Sequence, residues 1–124
     1  SQTSLAIARV VLERHEYTLR TQVEACIELR SRLVDMLERT LARVATPPRS
    51  GSPHERARVF PAHGNLVLVR VGDSAEATRW AHTLREQNIL VKDVSKQPGL
   101  DGCLRISLGT HAELTALERA LASL

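Results

Sequence analysis

Aromatic side chains are almost missing from this chain: Tyr17, Phe60 and Trp80 are the whole supply in 124 residues. The core must therefore come from Leu, Val, Ile and Ala, and a hydrophobic share of 43% is enough to build one. Single-stranded nucleic acid would find few rings to stack on. Lysine is nearly as scarce, confined to Lys92 and Lys96, so arginine carries the net charge of +3. Arg9, Arg14, Arg20, Arg32, Arg39 and Arg43 are interleaved with Glu13, Glu16, Glu24, Glu28 and Glu38. That is the pattern of a solvated helix with its own ion pairs, not of a stripe that tracks phosphates. No nucleic-acid partner is expected.

Cys26 and Cys103 are the only cysteines and show no CxxC spacing, which excludes a disulfide framework and suits buried thiols in a reducing cytoplasm. No apolar run reaches membrane-spanning length and there is no signal peptide, so a cytoplasmic location without a membrane partner is expected. His15, His54, His63, His82 and His111 are scattered, with no HExxH and no cysteine at ligand spacing, so no metal site is expected. No Ser–His–Asp set can be nominated.

Glycine and proline are absent from Ser1 to Thr46, which argues for helix throughout. Val23, Ile27, Arg30, Val34, Leu37, Leu41 and Val44 recur at helical steps, and Cys26, Leu29, Leu33 and Met36 widen the stripe. The spacing predicts a helix from about Glu16 to Arg43, with Ser1–Leu12 as an apolar segment that needs a partner surface. Three divisions follow: a helical arm over 1–45, a loop rich in Pro, Gly and Ser over 46–57, and a small α+β domain over 58–124.

Within that domain, Arg58–Phe60 reads as a short strand ended by Pro61, and Asn65–Val71 as a strong one. Asp73 with Glu76 caps a helix that buries Ala77, Trp80, Ala81 and Leu84 and ends near Gln87. Ile89–Val94 and Cys103–Leu108 supply further strands. Thr110 with Glu113 opens a last helix, whose face is Leu114, Leu117, Leu121 and Leu124. The expected fold is α+β: a long N-terminal helix, then a small mixed sheet of about three strands with helices on one face.

Arg105 stands out, because it lies between Leu104 and Ile106 in the middle of a strand. A guanidinium among apolar neighbours costs free energy unless an anion or carboxylate meets it. It is either a clamp for a substrate carboxylate or phosphate, or an edge-strand arginine paired with Asp93 or Asp101.

The segment KQPGLDGCLRISLGT, Lys96 to Thr110, resembles the C-terminal signature of histidinol-phosphate aminotransferases, pyridoxal-phosphate enzymes of fold type I. HGNLVLVRV, His63 to Val71, is similar to a strand of that family, with Leu66 where an aromatic is usual. CIELRSRLVDML, Cys26 to Leu37, resembles its domain-linking helix, with Arg30 and Arg32 at arginine positions. The resemblance runs from about Val10 to the end, apart from the loop, and is specific over Ile89–Thr110. It implies that Arg105 holds the anionic end of the substrate. Lys92 stands where the family usually has arginine, near the substrate phosphate, and keeps the charge without the fork.

Only the last third of such an enzyme is represented, and the sole methionine is Met36, so a fragment is expected. The resemblance implies, for the complete enzyme, amino transfer between glutamate and imidazole-acetol phosphate in histidine synthesis, pyridoxal phosphate as cofactor, and a homodimer. The small domain closes over the small-molecule substrate, and the large domain of the same enzyme is its partner. Within this chain no catalytic or cofactor-binding residue is nominated. Lys96 follows a serine, as the cofactor lysine of the family does, but the match puts it on a small-domain loop, and Lys92 belongs to a strand. The chain alone is expected to be inactive and without cofactor. The rival reading is a free-standing regulatory or interaction module, or the same domain from an aminotransferase with another substrate.

Overall fold

The computed structural model describes residues 2–45 and 56–124, excepting the side chains of 2–12. Among these residues three helices and four strands run in the order α1 (Gln2–Val44), β1 (Arg58–Val59), β2 (Leu66–Arg70), α2 (Ser74–Glu86), β3 (Lys92–Asp93), β4 (Cys103–Ser107) and α3 (His111–Leu121). The α+β layer is as expected. The sheet differs in detail: it has four strands, ordered β1-β2-β4-β3, and every pair is antiparallel, so it is not mixed. The reason lies in β3, which closes back on β4 through a short turn and cannot run parallel to it.

With no glycine or proline to stop it, α1 is one helix from Gln2 and not a shorter one beginning near Glu16. The expectation for the surface of Ser1–Leu12 falls outside the described side chains, as does most of the loop at 46–57. Only the second half of the α1 stripe is covered. Leu33, Met36, Leu37 and Leu41 are buried, whereas Val23 is 57% and Ile27 51% exposed. Leu33 and its successors meet the inward residues of the sheet, Val67, Val69, Leu104 and Ile106. Trp80 and Leu84 of α2 and Leu114, Leu117 and Leu121 of α3 complete that core. All three helices thus lie on one side of the sheet.

Both caps form as the spacing predicts. Asp73 accepts from the Glu76 amide at 2.8 Å, and Thr110 from the Glu113 amide at 3.1 Å. Asn88, in the left-handed region at φ 62, turns the chain out of α2. The following strand is shorter than Ile89–Val94, because only Lys92 and Asp93 pair with β4.

Among the described side chains, the arginines of α1 do not form the ladder of ion pairs within the helix that their spacing suggests. Among the described residues, the single ion pair of α1 runs across to α3, from Arg32 to Glu118 at 3.8 Å. Arg30 donates to the Gly64 carbonyl at 3.0 Å. Arg32 donates to the His111 carbonyl and the Thr115 hydroxyl, each at 2.9 Å, and to His111 Nδ1. Arg43 reaches the Leu121 and Leu124 carbonyls at the far end of α3. These side chains fasten the helix to the domain. Arg43 adds side-chain donors at the C-terminal end of α3, where the Leu121 carbonyl also accepts from the Leu124 amide.

The division of α1 into a seated and an unseated half is measurable. Leu37→Ala should cost about 2–5 kcal/mol in urea unfolding, the range for a core leucine. Val23→Ala should change stability by less than about 0.5 kcal/mol. Equal losses at both positions would contradict the packing.

A candidate anion site on the open sheet face

Side chains alternate across a strand, and residues directly opposite in an antiparallel pair share a face. Val67, Val69, Leu104 and Ile106 point at the helices. The register opposes Arg58 to Arg70, Arg70 to Cys103, Leu68 to Arg105, and Lys92 to Arg105. The other face therefore carries Arg58, Leu66, Leu68, Arg70, Lys92, Cys103, Arg105 and Ser107. Four of these are cations, and among the described residues no open-face strand position holds a carboxylate.

Arg105 is exposed, not held between Leu104 and Ile106. Its sequence neighbours face the core while it faces away, so the expected desolvation of its guanidinium by those neighbours does not arise. Nor is it at an edge, because β4 is an inner strand. Pairing with Asp93 fails for a geometric reason: Asp93 opposes Leu104 and lies on the helix side. There it accepts from the Thr78 hydroxyl at 3.2 Å and from the Ser95 amide at 2.9 Å, and also from the Ser95 hydroxyl. Among the described residues no carboxylate pairs with Arg105. It faces Lys92 directly, and like charges in that position repel, at a cost of about 0.2–1 kcal/mol. An anion bound between them would convert that repulsion into attraction.

Apolar surface adjoins the two cations. Leu68 is opposite Arg105, Leu66 is 43% exposed opposite Ser107, and Leu90 is 78% exposed two residues before Lys92. This combination suits a ligand with an anionic end and a less polar body.

Arg70 has a different task, which its place in the sequence does not disclose. Its Nε donates to the Asp101 carbonyl at 2.9 Å and its Nη2 to the Gly99 carbonyl at 3.0 Å. The guanidinium also lies 5.4 Å from the centroid of the Phe60 ring, and that of Arg58 lies 4.4 Å from it. Beside Arg70 the chain passes very close to itself. Gly102, at φ 71, accepts from the Val71 amide at 2.9 Å, and a Cβ there would run into the Gly72 carbonyl. Cys103 is buried beneath this contact. Burial pushes its thiol pKa up, and nearby Arg70 only partly offsets the shift. Cys26 is half-buried and donates to Asn65 Oδ1 at 3.0 Å.

Lys96 can be placed as well: it is exposed in the turn after β3. No group of three or more His, Cys, Asp or Glu suited to a metal occurs among the described residues. No described helix is long and apolar enough to cross a membrane.

Asp93 gives a test of the β3 turn. Burial opposes its charge, but the Ser95 hydroxyl and amide, the Thr78 hydroxyl and the charge of Lys96 outweigh it and hold its pKa below the usual value. Its stabilising contribution is then complete above the unfolded pKa of about 3.9 and is lost as pH falls through the lower folded value. An NMR titration should find its midpoint below that of an unfolded aspartate, and Ser95→Ala should move it upward. No movement would show that the turn is not braced through Ser95. The thiols should differ too: iodoacetamide at pH 8 should label Cys26 well before Cys103, and the reverse order would contradict the burial of Cys103.

Residues 1–121 match the family model described as aminotransferase class I and II. A histidinol-phosphate aminotransferase of Deinococcus radiodurans is 33% identical over 119 residues, covering 96% of this chain and 28% of that protein. That of Colwellia psychrerythraea is 41% identical over 66 residues, covering 53% of this chain and 18% of the relative. The crystal structure of the histidinol-phosphate aminotransferase from Clostridium acetobutylicum superposes with a TM-score of 0.64 at 20% identity, over 84% of this chain and 27% of that one, and so supports the fold alone. The chain thus spans less than a third of the length of these proteins. With its open-faced antiparallel sheet and long leading helix, it belongs to the class I and II aminotransferases.

Proposed function

We propose that the chain is the C-terminal small domain, with its linking helix, of an enzyme of the histidinol-phosphate aminotransferase type. The observation that carries this reading is the facing pair Lys92 and Arg105 on a sheet face that no described helix covers. The relatives named histidinol-phosphate aminotransferase support the substrate class, a phosphate-bearing amine.

In this reading the domain closes over the substrate. Arg105 offers a planar fork of N–H donors to the anionic end, and Lys92 adds a second positive charge as a point donor. Leu66 and Leu68 displace water from the less polar part of the ligand. Closure would raise the strength of both ion pairs by excluding solvent. Pyridoxal phosphate, when bound, supplies the electron sink for amino-group transfer. The described residues of this chain do not fit that group: both lysines are exposed, Lys92 on an edge strand and Lys96 in the turn after it. We assign the cofactor site to the rest of a longer protein. A homodimer in the cytoplasm, without nucleic-acid or membrane partners, belongs to the same reading. The chain alone would be inactive.

The DNA upstream of Ser1 separates this from a free-standing module. A reading frame that continues into a segment with a cofactor lysine supports the enzyme, and a nearby start codon supports the module. In the complete protein, Arg105→Ala should raise KM and lower kcat/KM by about 2–4 kcal/mol, the scale of a lost charge-assisted pair. The fold should persist, because the guanidinium is exposed. Arg105→Lys should recover part of the loss, and Lys92→Arg should keep or improve activity on phosphate-bearing substrates. Unchanged kinetics in a folded Arg105→Ala variant would defeat the proposal. For the isolated chain, borohydride reduction with pyridoxal phosphate should give no stoichiometric adduct at Lys92 or Lys96. A full adduct on one of them would return the cofactor site to this chain.

A further inference from the structure

We infer that Arg70 is a positioning residue for this anion site: by bracing the 99–101 turn against β2, it sets the placement in which β3 and β4 present Lys92 and Arg105. The inference rests on the reading of that pair as substrate ligands. Its support is independent of them.

β3 is an edge strand with two ladder residues, paired in the sheet with β4 alone; outside the sheet, Asp93 accepts from the Thr78 hydroxyl of α2 at 3.2 Å. So short a strand is poorly fixed by its own hydrogen bonds, and its position depends on the turn that joins it to β4. Within that turn the bonds are local: Gln97 amide to Val94 carbonyl, Leu100 amide to Gln97 carbonyl, Cys103 amide to Leu100 carbonyl. They hold its shape but do not tie it to the rest of the sheet. The ties to β2 and its end are the Val71 amide on the Gly102 carbonyl and the two Arg70 bonds to Gly99 and Asp101.

The chemistry of the brace favours arginine. Its Nε and Nη2 are held in one rigid plane and reach two carbonyls that are two residues apart in the chain. The Phe60 ring beside the guanidinium limits its rotation. A lysine could approach either carbonyl, but could not fix the direction of both. Since Nε and Nη2 are committed to these carbonyls, Arg70 acts on the anion site through the turn. A small displacement of Lys92 relative to Arg105 is enough to matter, because misplacing a binding group by about 1 Å can cost up to about a hundredfold.

The test uses the complete protein and the variants Arg70→Ala, Arg70→Lys and Arg105→Ala, assayed on the phosphate-bearing substrate and on its phosphate-free amino-alcohol analogue. For Arg70→Ala we expect KM for the phosphate-bearing substrate to rise about tenfold. Its kcat, and KM for the analogue, should stay within about twofold. Arg70→Lys should recover part of the KM loss. A merely structural role would lower the folded fraction and the apparent kcat for both substrates, leaving KM unchanged, and that result would overturn the inference. So would failure of both Arg70 variants to fold. If Arg105→Ala raises KM and a folded Arg70→Ala does not, the brace is refuted and the anion site stands. If Arg105→Ala leaves KM unchanged, the site itself is refuted, and with it the role given to Arg70.

Discussion

Everything distinctive about this domain follows from burying a sheet on one side only. Val67, Val69, Leu104 and Ile106 must face Leu33, Leu37, Trp80 and Leu117, and burial of that many aliphatic groups is the dominant favourable term for a domain of this size. A strand cannot turn alternate residues inward without turning the others out. The opposite face thus receives Arg58, Arg70, Lys92 and Arg105 as a necessary counterpart of the core. What is specific is that all the charges it received there are of one sign.

The two halves of that face are used differently. Around Arg70 the positive charge is spent internally, on carbonyls and on an aromatic ring, and the backbone is packed so tightly that only glycine fits at Gly102. Around Arg105 and Lys92 the charges face one another beside exposed leucines. One region is rigid and self-satisfied. The other is electrostatically incomplete, and it is held in place by the first.

Much of the layout could be read from residue patterns alone. The run of β-branched and aliphatic residues in β2 and the pairs Asp73 with Glu76 and Thr110 with Glu113 are local signals, and local signals survive folding. Arg105 shows the limit. Its position was notable in the sequence, but for a mistaken reason: flanking residues in a strand face the opposite way, so apolar neighbours do not imply a buried guanidinium. The pairing of Lys92 with Arg105 depends on register across thirteen residues of chain, which periodicity does not encode. The exposed half of the α1 stripe, from Val23 to Ile27, has the same spacing as the covered half, and spacing alone could not tell them apart.

The arginines of α1 were equally opaque, because their acceptors are remote in the chain. Arg30 finds Gly64, 34 residues on, and Arg43 finds Leu124, 81 residues on. Choosing peptide oxygens as acceptors has a consequence for the seam between this helix and the domain. A carbonyl has no proton to gain in ordinary buffers, and arginine has none to lose. The contacts at Gly64 and Leu121 are therefore indifferent to acidity, in contrast to the carboxylate of Asp93. Acidification would remove the bracing of β3 by Asp93, while the fastenings of the helix at Gly64 and Leu121 persist.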